Sequence, residues 1–183
     1  MDLIASAAFG VESCAAFELK TLHAENIVIQ NGRIDFTGDF ETVARANLWL
    51  RCADRVFIKM GEFRAESFED LFQGTKAIPW EEFLPEDACF PVSGKSVKSV
   101  LYSVPDCQAI VKKAVVERLK SVYHRNWFEE TGAVYKIEVA LLNDTALLTL
   151  DTSGTGLHKR GYRETAGKAP IKELSLIHIS EPT

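Results

Sequence analysis

The chain has 183 residues, 46% of them hydrophobic and 26% charged, with 21 Lys and Arg against 26 Asp and Glu and a net charge of −5. That balance suits a soluble protein of one ordinary domain or two small ones, and no apolar run approaches the roughly 20 residues a membrane-spanning helix needs. The opening MDLIASAAFGVESC carries an acid at position 2 and no basic stretch, so no secretory signal is expected and the cytoplasm is the expected compartment.

In chain order, LIASAAF (3–9) reads as a short strand. Residues 11–22 follow as a helix, because Val11, Ala15, Leu19 and Leu22 recur at helical spacing. IVIQNGRIDF (27–36) reads as a hairpin turning at Asn31-Gly32, a pair that tolerates the positive φ of a type I′ turn. That register sets Ile29 opposite Ile34 and Ile27 opposite Phe36, with four apolar side chains on one face. Asp39 is placed to cap a helix over 40–50. RVFIKMGEF (55–63) closes the series as a strand. The order β-α-β-β-α-β is that of the ferredoxin-like unit.

A second series follows. SFEDLFQGTKAI (67–78) reads as a helix, and the acids Glu81, Glu82, Glu86 and Asp87 beyond it as a solvated face. CFPVSG (89–94) is a strand restricted by Pro91 to an edge or a strand start. A helix over 104–122 has Ser103 at its N-cap and buries Val111, Ala114, Val115, Leu119 and Val122, leaving Lys112, Lys113 and Lys120 outward. VYKIEVALL (134–142) alternates as a strand, Asn143-Asp144 turns, and TALLTL returns to Leu150. The fold class is therefore α+β: a ferredoxin-like βαββαβ unit at 1–64 and an αβαββ unit at 65–152, then a basic linker at 153–173.

The four cysteines (Cys14, Cys52, Cys89, Cys107) form no C-x-x-C pair, and Cys14, among small and apolar residues, reads as a buried structural thiol. The four histidines pair with nothing at ligand spacing, so no metal is expected. Charge is uneven. Residues 1–91 carry a net −8, residues 92–125 a net +5 and the remainder a net −2. A basic middle in an acidic chain has the form of an electrostatic footprint for nucleic acid.

Two stretches carry that footprint. In SGKSVKS (93–99), Gly94 frees the backbone, Ser93, Ser96 and Ser99 offer hydroxyls, and Lys95 and Lys98 supply charge, with Lys112 and Lys113 on the helix that follows. In DTSGTGLHKRGYR (151–163), the glycines fit neither G-x-G-x-x-G nor G-x-x-x-x-G-K-[ST], and no amphipathic helix begins there. A bound nucleotide is thereby disfavoured. What remains is a turn presenting His158, Lys159, Arg160, Tyr162 and Arg163, a mixture suited to phosphate contacts and stacking, or else a plain solvated loop. No nucleophile-elbow or H-E-x-x-H pattern occurs, so no catalytic constellation is expected in this chain.

The blocks IASAAFGVESCAAFELKTL, ARANLWLRCADRVFIKMGEF, GTKAIPWEEFLP, FPVSGKSVKSVLYSVPDCQAIVKKAVVERL and LDTSGTGLHKRGYR…APIKE resemble, in order, the N-terminal region of bacterial THUMP-domain RNA methyltransferases. The 23S rRNA guanine-N2 methyltransferase family is the nearest match, over residues 2–173. The resemblance implies a ferredoxin-like unit, then a THUMP domain that binds structured RNA, then a Rossmann-like domain using S-adenosylmethionine. It implies RNA contacts for Lys95, Lys98, Lys112 and Lys113, and a place at the passage into the catalytic domain for His158, Lys159, Arg160 and Arg163. The family's glycine-rich S-adenosylmethionine loop and its N-P-P-[YF] motif are missing from this sequence. The chain is therefore expected to be the RNA-recognition half of an enzyme, binding no cofactor and inactive alone. Its last residues, LSLIHISEPT (174–183), resemble translated sequencing adapter, with a natural C-terminal strand as the alternative. A stand-alone RNA-binding module, another THUMP-bearing enzyme such as a thiouridine synthase or deaminase, and a structural protein without an RNA role are the alternatives.

Overall fold

The computed structural model describes residues 1–125, 127–157 and 159. The chain divides into two compact units, Met1–Ile58 with the residues from Thr152 onward, and Lys59–Asp151. The expected element orders are those observed: β1 (Asp2–Ala7), α1 (Glu12–Thr21), β2 (Glu25–Gln30), β3 (Arg33–Thr37), α2 (Phe40–Trp49) and β4 (Ala53–Arg64), then α3 (Phe68–Ala77), β5 (Val92–Val97), α4 (Val104–Tyr123), β6 (Ile137–Leu142) and β7 (Thr145–Asp151).

In the first unit the strands lie in the order β2-β3-β1-β4. β1 runs antiparallel to both β3 and β4, pairing Leu3 with Phe36 and with Ile58. Ala15, Ala16 and Leu19 bury the inner face of α1, with Val11 buried just ahead of it, and Thr42, Val43 and Ala46 that of α2. Asp39 accepts the Thr42 N–H at 2.8 Å, so the expected cap forms. The Glu12 carboxylate accepts N–H groups from Gly10 at 2.7 Å and Gly32 at 2.9 Å, fixing the start of α1 to the hairpin turn. Those bonds, the Gly32 one foremost, hold its pKa below the ordinary value.

Two details of the hairpin differ from expectation. Gly32 has φ 73° but Asn31 is not at positive φ, so the turn is not type I′. Ile29 does face Ile34, yet the register slips between Glu25 and Val28, where Asn26 takes φ 51°. Val28 and Ile29 are 53% and 51% exposed, because β2 is an edge strand and the core needs only Ile34 and Phe36 of the hairpin. Cys14 is also corrected: it is exposed on α1, one position ahead of the buried Ala15.

In the second unit, β5 and β6 run parallel and β6 and β7 antiparallel. A parallel neighbour requires a crossover, which α4 supplies. Its stripe of Cys107, Val111, Ala114, Val115 and Leu119 is buried, while Val122 at the far end is 37% exposed. Ser103 occupies the N-cap position but makes no side-chain cap; its hydroxyl donates to Asp106 instead. α3 begins with a reciprocal capping box between Ser67 and Asp70. Trp80, fully buried, donates Nε1–H to the Thr75 carbonyl at 2.8 Å. Asn143 and Asp144 both take positive φ, 49° and 60°, the signature of a type I′ turn.

β5 is the main correction of this unit. The expected strand at 89–94 lies instead at 92–97, immediately after Pro91 and at the sheet edge, with Cys89 making only an isolated bridge. Gly94 misleads as a breaker. It is a close-approach residue, since a Cβ there would stand 3.1 Å from Val139 and 3.3 Å from Gln108 and Val104. The acids after α3 are corrected too: Glu81 receives a 3.0 Å hydrogen bond from Arg118 rather than facing only solvent.

Candidate nucleic-acid interface

The strand assignment changes what SGKSVKS can do. Residues 93–97 are committed to the ladder with β6, so their backbone is not a free phosphate cradle. The hydroxyls are engaged as well. Ser93 Oγ donates to the Ile137 carbonyl, Ser96 Oγ to Leu101 and Ser99 Oγ to Val97. The loop after β5 is fastened by Asp144, whose carboxylate accepts the Val100 N–H at 2.7 Å while its own N–H donates to Ser99 Oγ at 3.1 Å.

The four lysines are not brought to one surface. Gly94 faces α4, so strand alternation turns Lys95 to the opposite side of the sheet. There Lys95 Nζ donates to Glu138 at 2.8 Å. Lys98 stands exposed at the end of β5 with φ 50°. Lys112 pairs with Glu130 at 2.9 Å and lies 5.3 Å from the centre of the Phe90 ring. Lys113 lies 5.7 Å from the centre of the Phe72 ring, and Lys76 of α3 lies 5.8 Å from the same ring.

The net +5 of residues 92–125 is thus largely answered by carboxylates. Lys95, Lys112, Arg118, Lys120 and Arg125 meet Glu138, Glu130, Glu81, Glu117 and Glu86. The Arg118 hydrogen bond is the main reason Glu81 titrates below its ordinary value, and that same bond raises Arg118. Among the described residues, Lys76, Lys98 and Lys113 have no carboxylate partner. Lys76 is the residue the sequence reading missed. Its one legible signal was the (i, i+4) spacing from Phe72 on α3. Lys98 follows β5, whereas Lys113 stands on α4, about 14 Å along the helix from its first residue, Val104, at the helical rise.

The second basic stretch is described only in part. Thr152 donates its N–H at 3.0 Å and its hydroxyl at 2.8 Å to the Val56 carbonyl. Ser153 Oγ accepts the Val56 N–H and donates to Asn47 Oδ1, while Asn47 Nδ2 donates to Thr152 Oγ1 at 3.0 Å. The Arg55 guanidinium donates to Gly154 at 2.9 Å, and the Leu157 N–H to Asp54 at 2.8 Å. The segment is fastened to α2 and β4 of the first unit. Lys159 is exposed. His158, Arg160, Arg163 and the adapter-like 174–183 lie outside the described residues. Among the described residues, no group of three or more His, Cys, Asp or Glu could hold a metal, and no helix is long and apolar enough to cross a membrane.

The two units thus follow β-α-β-β-α-β and α-β-α-β-β, and each corresponds to a known domain family. Residues 2–57 match the RlmL ferredoxin-like domain and residues 65–151 the THUMP domain. The chain belongs to the THUMP proteins that carry an RlmL-type ferredoxin-like domain ahead of the THUMP domain. Among curated proteins it is 57% identical over 173 residues to the "Putative RNA methyltransferase YpsC" of Bacillus subtilis (strain 168), covering 93% of this chain and 45% of that protein. Two solved structures share the fold closely. A protein from Listeria monocytogenes str. 4b F2365, described as a "predicted N6-adenine-specific DNA methylase", is 55% identical with a TM-score of 0.92, covering 97% of this chain and 47% of its own. SMU.472, described as "a putative methyltransferase complexed with SAH", is 46% identical with a TM-score of 0.90, covering 98% and 48%. The chain spans about half the length of the relatives it matches.

Proposed function

We propose that this chain is the RNA-binding part of an S-adenosylmethionine-dependent rRNA guanine-N2 methyltransferase, with the THUMP domain presenting structured RNA to a catalytic domain that lies outside it. The observation that carries the reading is a group of three cations without carboxylate partners on the THUMP domain: Lys76 and Lys113 over Phe72, and Lys98 at the end of β5. Phosphates are positioned by such lysines without reading sequence. Lys95 and Lys112 belong to a second rank, because phosphate must compete with Glu138 and Glu130. That competition is feasible, since exposed ion pairs contribute only about 0–1 kcal/mol. The naming of B. subtilis YpsC supports RNA methylation, and the SAH held by SMU.472 is the form S-adenosylmethionine takes after giving up its methyl group. The choice of 23S rRNA and of guanine N2 rests on the family resemblance. His158, Lys159, Arg160 and Arg163 complete the proposal as a basic hinge towards the catalytic domain.

The test is in two parts. A structured 23S rRNA fragment should compete out labelled RNA from the chain, while a DNA duplex of equal length and charge competes at least about tenfold more weakly. Equal competition by DNA would instead favour the DNA-methylase description of the Listeria relative. Incubation of the chain with S-adenosylmethionine and unmodified rRNA should give no methyl transfer, and transfer by the chain alone would sink the division of labour. Reading the coding sequence across the 173/174 junction separates the truncated enzyme from a stand-alone module. An open frame encoding the glycine-rich loop and N-P-P motif is the expected result.

A further inference from the structure

The first unit contains a pair of thiols that the RNA-binding reading leaves unused. Cys14 is exposed on α1, and Cys52 is buried in the connection between α2 and β4. Glu18, one helical turn after Cys14 on the same face of α1, joins the two places. Its Oε2 accepts the backbone N–H groups of Arg51 at 2.9 Å and Cys52 at 3.1 Å, and its Oε1 accepts the Cys52 thiol at 3.6 Å. The α2–β4 connection is thereby held against the turn of α1 that carries Cys14, and Cys14 is near enough to help raise the Cys52 thiol.

We propose that Cys14 and Cys52 are a site of reversible oxidation, with Cys14 as the thiol a peroxide meets and Cys52 as the thiol that resolves it. The asymmetry is built in. Burial, then the Glu18 carboxylate and then Cys14, push Cys52 up to about 11, so it stays protonated and reserved. Cys14 has solvent access, which Cys52 lacks.

The chemistry balances. The Cys14 thiolate attacks one peroxide oxygen, the O–O bond breaks, and the departing hydroxide is protonated to water, leaving a sulfenic acid. Cys52 sulfur then attacks the Cys14 sulfur. The S–O bond breaks as the S–S bond forms, and the Cys52 proton passes by way of Glu18 to the departing hydroxide. Two thiols and one peroxide give one disulfide and two waters. The product ties α1 to the α2–β4 connection and closes a loop from residue 14 to residue 52, which raises the unfolding temperature by roughly 5 °C or more.

The reduced 183-residue chain is treated with one equivalent of hydrogen peroxide, unfolded in the presence of an alkylating agent and mapped by mass spectrometry. The expected product joins Cys14 to Cys52, leaves Cys89 and Cys107 alkylatable, raises the melting temperature, and reverts with dithiothreitol. C14S should leave Cys52 fully alkylatable, and C52S should stop at a dimedone-reactive Cys14. The proposal is overturned if wild-type Cys14 accumulates the same dimedone adduct as C52S, or pairs with Cys89 or a second chain. The wild-type peptide map decides the matter even if C52S fails to fold.

Discussion

Consider replacing Lys76, Lys98 and Lys113 together by Gln. Each is exposed or half-buried, and each lacks a carboxylate partner among the described residues, so the change removes charge without stranding an acid. If these three cations make the phosphate contacts, log K falls against log salt with a slope of about −2.7, taking for an RNA duplex the roughly 0.9 per phosphate of a DNA duplex. Affinity then drops by about 40-fold between 50 and 200 mM salt. If Lys95 and Lys112 abandon Glu138 and Glu130 to join in, five contacts give a slope of about −4.5 and a drop of about 500-fold. Fluorescence anisotropy titrations at four salt concentrations distinguish the two. The triple variant should lose about 2.7 from the slope in either case. An unchanged slope would refute the assignment of these lysines, and a wild-type slope near zero would refute phosphate-driven binding altogether.

Three further outcomes follow from the packing. Asp39→Ala removes the acceptor of the Thr42 N–H and should cost about 1 kcal/mol in urea unfolding, with Asp39→Ser recovering most of it. Trp80→Phe removes a fully buried indole and its bond to the Thr75 carbonyl, so a loss of about 2–3 kcal/mol is expected and a loss under about 0.5 would contradict the burial described. Glu81, held low by Arg118, and Asp70, held low by Ser67, have folded values below their unfolded ones. Their stabilisation is therefore complete above the ordinary carboxylate values near 4.5 and 3.8 and is lost as pH falls below them. Urea midpoints should be flat from pH 7 to about 5.5 and drop steeply below about 4.5, less steeply in Glu81→Gln.

Local signals made the helices and most strands legible. Asp39, Ser67 and the apolar spacing of α1 and α4 act over a few residues, and a reader of the chain sees the same few residues. β5 was displaced because Gly94 looks alike whether it frees a loop or admits a helix against a strand. The hairpin turn was legible in place but not in type, since Asn-Gly permits two positive φ values without demanding them. The interface was the least legible part. The carboxylates that answer Lys95, Lys112 and Arg118 lie 43, 18 and 37 residues away, so a charge count along the sequence sums what the fold separates and separates what it pairs. Lys76 went unnoticed for the same reason, as it meets Lys113 only through the Phe72 ring.

The bonds from Thr152 to Val56 have a topological consequence. The chain departs the first unit after Ile58 and rejoins it at Thr152, so the THUMP-bearing stretch is a guest inserted into a ferredoxin-like host. Its way in and its way out are pinned side by side, with the Thr152 N–H 3.0 Å from the Val56 carbonyl. A guest tethered this way is a closed loop even when unfolded, so it loses less chain entropy on folding than the same stretch would with loose ends. Its adjacent ends also make it a module that can be cut out and bridged by a short linker, leaving the host strand and its Asn47–Ser153 lock to be rejoined as one piece.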